Sequence, residues 1–146
     1  MIDVAVVGAG PVGLVLGILL AQRRRSVVIL EQHPEPYTLP RAVHFDHEVG
    51  RILQSCGIGD AVRAVSEPAE VYEWRNGAGT TLLRFGRVGA AASGWPFSSM
   101  FCQPEVEALL ADRAASLPTL ELRRGVRVTG LTQHGDRVVV EHTEGE

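Results

Sequence analysis

Residues 4–31 read VAVVGAGPVGLVLGILLAQRRRSVVILE. An apolar run leads into Gly8-Ala9-Gly10-Pro11-Val12-Gly13, a long apolar stretch follows, and a second apolar run ends at Glu31. Strand, glycine turn, helix and strand in that order make a βαβ unit, so a parallel sheet is expected. Each glycine removes a Cβ from a place where something else has to stand. Gly8 lets the chain turn sharply out of the first strand. Gly10 leaves bare backbone for a pyrophosphate, whose oxygens can take hydrogen bonds from amides at the helix mouth, aided by the positive end of the helix dipole. Pro11 suits the first helical position, where its missing N–H would have had no partner. Gly13 lets the helix pack closely on the strands.

Glu31 stands 18 residues beyond Gly13. A carboxylate there can accept hydrogen bonds from both hydroxyls of an adenosine ribose, each worth about 1.5–3 kcal/mol because the acceptor is charged. The same charge repels a 2′-phosphate, so FAD or NAD fits this site better than NADP. A bare GxGxxG pattern arises by chance; the strand before it, the helix after it and the distant acid give it weight.

Working outward, 146 residues make about one domain. With 45% hydrophobic and 21% charged residues and a net charge of −3, neither nucleic acid nor an anionic membrane is an expected partner. Asp3 stands where a signal peptide would be basic, and glycines and a proline interrupt the apolar start. No leader or membrane span is therefore expected, and the cytoplasm is the expected location. Cys56 and Cys102 form no CxxC pair and are expected as buried thiols outside any disulfide. His44 and His47 are spaced to share a helix face, but nothing completes a ligand set, so no metal is expected. The run Arg23-Arg24-Arg25 is placed to complement the dipole at the end of the first helix.

Strands at about 2–7 and 26–30 flank a helix from Pro11 to about Arg24. Three prolines between His33 and Pro40 predict an extended connection. A helix starts after Asp46 as N-cap and stops at Gly57, and a helical turn covers about Asp60 to Val65. Residues 70–85 read as a hairpin around Asn76-Gly77-Ala78-Gly79, residues 86–98 as a loop, and about 98–102 as a strand. A helix from Pro104 to about Ser116 follows Gln103, and then come strands TLELRR, VRVTGL and RVVVEH with a turn at His134-Gly135-Asp136. Thr143-Glu144-Gly145-Glu146 reads as the turn of a hairpin with no return strand, so the chain is expected to be unfinished.

GAGPVG with Glu31, PRAVHFDHE (40–48), GWPF (94–97) and FCQPEVE (101–107) together resemble the N-terminal FAD-binding part of the single-component flavoprotein aromatic hydroxylases of the p-hydroxybenzoate hydroxylase type. Within that family the likeness is greatest to the 3-(3-hydroxyphenyl)propionate hydroxylases, and it extends over essentially all 146 residues. The resemblance implies an α/β fold, with a Rossmann-like FAD/NAD(P)-binding parallel sheet and a β-meander. Residues of about 70–102 would contribute a hairpin and a strand to a second small sheet. It implies that Gly8, Gly10, Pro11, Val12 and Gly13 line the FAD pyrophosphate, that Glu31 holds the adenosine ribose and that Gln32 edges the adenine. It also implies that Arg41 reaches phosphate or ribityl oxygens with its planar, permanently charged guanidinium. Gln103 would bond the ribityl or phosphate region, and the backbone of Val128 would meet the adenine. Plainer readings stand beside these: Arg41 as a solvated side chain, Gln103 as a helix cap and Val128 as strand filling.

Two departures from the family stand out. The family carries a glycine near position 24 where this chain has Arg24, and a left-handed residue there costs about 1–2 kcal/mol. The family's later Gly-Asp motif, which meets the ribityl chain, is absent. The implied activity is hydroxylation of a small phenolic substrate with FAD, NAD(P)H and O₂, the cofactor carrying the chemistry. No catalytic acid or base is assigned, and these residues alone are expected to be inactive. The alternatives are another FAD- or NAD-linked oxidoreductase of the same architecture, against which the PRA and QPEVE segments count, and an inactive FAD-binding fragment.

Overall fold

The computed structural model describes residues 1–39 and 41–145; Pro40 of the PRA segment and Glu146 of the expected terminal turn lie outside the described residues. In chain order the elements are β1 (Val4–Val7), α1 (Pro11–Gln22), β2 (Val27–Glu31), β3 (His44–Asp46), α2 (His47–Ser55), α3 (Gly59–Ala64) and β4 (Ser66–Pro68). These are followed by β5 (Val71–Arg75), β6 (Thr81–Gly86), β7 (Ser98–Phe101), α4 (Gln103–Ala115), β8 (Leu120–Arg124), β9 (Val126–His134) and β10 (Arg137–Glu144). They divide into two compact units, Met1–Leu39 with Glu107–Glu146, and Pro40–Val106.

The first unit holds a parallel sheet in the order β1-β2-β8, with Val4 opposite Val27 and Val27 opposite Leu120. The apolar run Val27–Leu30 is buried along its length, as the central strand of a parallel sheet requires. Helix α1 lies directly on that strand: a Cβ at Gly17 would come within 2.7 Å of Ile29 Cδ1. Leu14, Ile18 and Ile29 are fully buried at this contact, each stabilising the unit by about 1.5–3 kcal/mol.

The end of α1 resolves the question posed by position 24. Arg25 N donates to Leu20 O at 3.2 Å and Arg24 N to Ala21 O at 2.8 Å, the paired bonds of a Schellman motif, with Arg24 in the left-handed region at φ 61°. The helix therefore stops where the family places glycine, at the expense of strain in an arginine. Arg23 Nη1 donates to Leu19 O at 2.9 Å, so the basic run does serve the carbonyl end of the helix. Arg24→Gly is expected to stabilise the chain by about 0.5–1 kcal/mol, raising Tm by about 1–4 °C in a thermal melt, because glycine relieves the strain but has more unfolded-state entropy to lose.

In place of the expected meander, β8 joins the parallel sheet and β9 pairs with β10 as a two-stranded antiparallel ribbon turning at Gly135-Asp136. Val126 packs with Val28 and Leu30, and Val128 and Val140 lie against them. The expected terminal turn is corrected: Thr143 and Glu144 continue β10, opposite Arg127 and Val126, and Gly145 N donates to Gly125 O at 3.1 Å. A register shift at Glu141/His142 carries β10 along to the start of β9.

In the second unit Asp46 caps α2 as expected, its Oδ1 accepting from Glu48 N at 3.1 Å and Val49 N at 3.0 Å. The hairpin expected over 70–85 forms from β5 and β6 as a sheet of its own, while β7 is the centre of a three-stranded antiparallel sheet in the order β3-β7-β4. The flanking strands β3 and β4 are additions to the expected elements. Trp95, in the expected loop, is buried instead of loose. Its ring packs so close to α2 that a Cβ at Gly50 would stand 2.5 Å away, and its Nε1 donates to Gln54 Oε1 at 2.8 Å.

Candidate functional site

The loop between β1 and α1 is built as the glycine pattern requires. Gly8 adopts φ 99°, and its N–H donates to Leu30 O at 2.8 Å, tying the turn to β2. Gly10 is the N-cap of α1 in extended conformation; no side chain caps the helix and its first turn holds no acidic residue. The first-turn amides of Val12 and Gly13 therefore lack a side-chain acceptor. A Cβ built at Gly8 or Gly10 would meet nothing within 4 Å, so the space over the loop is open. At Gly13 the opposite holds: a Cβ would stand 2.0 Å from Gly8 O, so helix and loop touch there. Open backbone, a positive helix end and uncapped amides fit a pyrophosphate.

Glu31, the last residue of β2, turns towards this loop. Its Oε2 accepts from Ala9 N at 2.8 Å and its Oε1 from His33 N at 2.9 Å. The carboxylate thus braces the glycine turn, a role that the sequence pattern did not disclose, and each oxygen keeps a lone pair with which to accept from a ribose hydroxyl. Burial pushes the Glu31 carboxyl up, but the amide hydrogen bonds from Ala9 and His33, with the charges of His33 and Arg124, outweigh it and hold the group below its ordinary value. A carboxyl depressed in the folded state stabilises the fold above its ordinary pKa, and that contribution is lost as pH falls through the folded value. The melting temperature of the chain is accordingly expected to fall more steeply below about pH 5 than that of Glu31→Gln, which has no carboxyl to protonate at this position.

The remaining predicted residues divide by unit. Gln32 is exposed, with Nε2 3.4 Å from His33 Nε2. Val128 packs its side chain against the cluster of Val28, Leu30 and Val126, so what it can offer a ligand is its backbone. In the second unit Arg41 is exposed. Gln103, 6% exposed, opens α4 and accepts on Oε1 from Arg41 N at 2.9 Å and Ala42 N at 2.7 Å. That oxygen fixes the backbone carrying Arg41, across 61 and 62 residues of sequence.

His44 lies in β3 and hydrogen-bonds Ser98 Oγ through Nε2, whereas His47 opens α2, so the two do not share a helix face. Cys56 is buried as expected, but Cys102 is exposed. Among the described residues no group of three or more His, Cys, Asp or Glu side chains could hold a metal ion, and no helix is long and apolar enough to cross a membrane.

Comparison with known proteins bears on this geometry. The family described as FAD binding domain matches residues 1–146. A probable NADH-specific resorcinol 4-hydroxylase of Rhodococcus jostii is 40% identical over 146 residues, covering 99% of this chain and 28% of its own length. A 3-(3-hydroxy-phenyl)propionate/3-hydroxycinnamic acid hydroxylase of Mycolicibacterium gilvum is 33% identical over 145 residues, covering 99% of this chain and 25% of its own length. Among solved structures, p-nitrophenol 4-monooxygenase of Pseudomonas putida superposes with a TM-score of 0.85 at 27% identity, over 96% of this chain and 36% of that one. The chain thus spans about a quarter of the length of these curated relatives.

Proposed function

This chain belongs to the FAD binding domain family, and on that premise we propose that it is the FAD-holding portion of a flavin-dependent monooxygenase that hydroxylates a phenolic substrate with NAD(P)H and O₂. The observation that carries the reading is the joining of an uncapped helix mouth over Gly8 and Gly10 to a carboxylate, Glu31, that braces the same turn. FAD, when bound, supplies the redox chemistry that side chains lack.

The amides of Val12 and Gly13 donate to the pyrophosphate, and Pro11 starts the helix whose dipole favours it. Glu31 accepts from the ribose hydroxyls while keeping Ala9 in place. Gln32 and the backbone of Val128 border the adenine. For Arg41 and Gln103 the support is the resemblance together with their mutual hydrogen bonds: Arg41 is the donor to cofactor oxygens, and Gln103 is the residue that positions it. The names of the relatives support a phenol as substrate and NADH or NADPH as reductant. We place the reaction in the cytoplasm, where reduced nicotinamide is made and Cys56 and Cys102 stay thiols.

The test is NADH or NADPH oxidation by the gene product that carries these residues, reconstituted with FAD and supplied with a series of phenols. Hydroxylated phenol formed in step with reductant consumption is the expected result. Reductant oxidation that no phenol accelerates, or that yields no hydroxylated product, contradicts the reading.

A further inference from the structure

The turn between β5 and β6 carries a motif that the cofactor reading leaves unused. Asn76 is the chain's only asparagine, and Gly77 follows it. Both are exposed. The carboxamide of an asparagine can be attacked by the backbone nitrogen of the next residue, which closes a cyclic imide. Glycine in that next place leaves the nitrogen unshielded, because it has no Cβ. An Asn-Gly pair alone is a sequence pattern; the structure adds the placing of the groups that react.

The electrophile is held in place. Asn76 Oδ1 accepts from Ala78 N at 3.0 Å and from Thr80 N at 2.9 Å. Two amides on one carbonyl oxygen draw electron density from Cγ, and they stand where the negative charge of a tetrahedral intermediate gathers. The nucleophile is open: among the described residues Gly77 N makes no hydrogen bond, and a Cβ built at Gly77 would meet nothing within 4 Å. The leaving group is open too, since Nδ2 of the exposed side chain makes no hydrogen bond among the described residues, so ammonia departs into water. The backbone around these atoms is tied, with Asn76 N donating to Thr80 O at 3.0 Å and Gly79 N to Asn76 O at 2.9 Å. An unfolded chain has to find this arrangement, whereas the hairpin keeps it.

We propose that Asn76-Gly77 is a site of spontaneous deamidation built into the folded hairpin, at which the chain ages to aspartate and isoaspartate. The bond from Gly77 N to Asn76 Cγ forms as the Cγ–Nδ2 bond breaks, and the proton of Gly77 N leaves with Nδ2 as ammonia. Water then opens the imide at either carbonyl. Opening at Cγ gives aspartate; opening at the main-chain carbon of Asn76 gives isoaspartate, whose backbone runs through Cγ. The two products treat the turn differently. Aspartate keeps an oxygen for Ala78 N and Thr80 N and strengthens both bonds with its charge. Isoaspartate adds a methylene to the backbone between residues 76 and 77 and moves the carboxyl onto Cα, so the bonds that close the turn are lost. Among the described residues β5 and β6 pair with each other alone, and a two-stranded hairpin is marginal in water. The stacked rings of Tyr72 and Phe85, 5.1 Å apart across the two strands, loosen with it.

The full chain is incubated at mildly alkaline pH, folded in buffer and unfolded in urea, and its peptides are separated and weighed. Loss of the amide changes the peptide mass by the difference between an amino group and a hydroxyl, and isoaspartate elutes apart from aspartate. The folded chain is expected to lose the amide as fast as the unfolded chain or faster, with isoaspartate among the products. Gly77→Ala, whose Cβ has room in the fold, is expected to slow the loss about tenfold, a barrier higher by about 1.4 kcal/mol. Amide hydrogen exchange in β5 and β6 is expected to quicken in the isoaspartate form and to stay unchanged in Asn76→Asp. Slower loss in the folded chain than in urea, an unchanged rate in Gly77→Ala, loss without isoaspartate, or equal exchange in the two product forms overturns the proposal.

Discussion

Gly13→Ala is expected to destabilise the chain by about 3 kcal/mol and to abolish FAD binding. The added Cβ would stand 2.0 Å from Gly8 O and 3.2 Å from Gly8 C, both backbone atoms of the cofactor loop. No rotamer change relieves such a clash, so α1 must lift from the loop, at the upper end of the range for overpacked cores. Gly10→Ala is the informative control. Its Cβ meets nothing within 4 Å, so the fold is expected to keep its melting temperature within a few degrees while FAD affinity falls, because the methyl group enters the space reserved for phosphate. Thermal melts paired with FAD titrations of the two variants check both statements. Equal melting temperatures for Gly13→Ala and the unaltered chain would contradict the close approach of helix and loop.

The second large effect is at Glu31. Glu31→Ala is expected to weaken FAD binding by tenfold to a hundredfold. It removes the acceptor for the ribose hydroxyls and leaves the Ala9 amide, held at 2.8 Å in the structure, without its partner. A charge-assisted hydrogen bond contributes about 1.5–3 kcal/mol, and each 1.4 kcal/mol is tenfold in affinity. Glu31→Gln is expected to fall between, since a neutral amide offers one acceptor oxygen where the carboxylate offers two. Amide hydrogen exchange at Ala9 without cofactor divides the effect: faster exchange in Glu31→Ala marks the loss of the brace, and unchanged exchange would leave the ribose contact as the whole cause.

The legible part of the molecule is its short-range part. The glycine turn, α1, β2 and Glu31 depend on residues within one βαβ unit, and spacing alone places them. The cap by Asp46 and the stop at Gly57 are readable for the same reason, because each acts on a neighbouring helix turn. What escapes is long-range. Strands β3 and β4 are three residues each and exist because β7 lies between them, so no periodicity could announce them. Thr143 and Glu144 look like turn residues, but their partners Arg127 and Val126 lie across a ribbon whose register shifts on the way. The sequence marks Gln103 as important without showing what it does, because its oxygen serves amides 61 and 62 residues earlier. Arg24 shows a tertiary demand overriding local preference, since the helix must end there and the chain accepts a left-handed arginine to do it.

Bare backbone at the start of α1, braced by Glu31, grips the pyrophosphate of FAD in the function proposed for this chain. The most direct measurement of that grip is a titration of the purified chain with FAD, followed by flavin fluorescence and absorption. Saturation at one flavin per chain, with a Kd below about 10 µM, is the expected result. A chain that is folded by circular dichroism yet leaves FAD free at many times that concentration would contradict it.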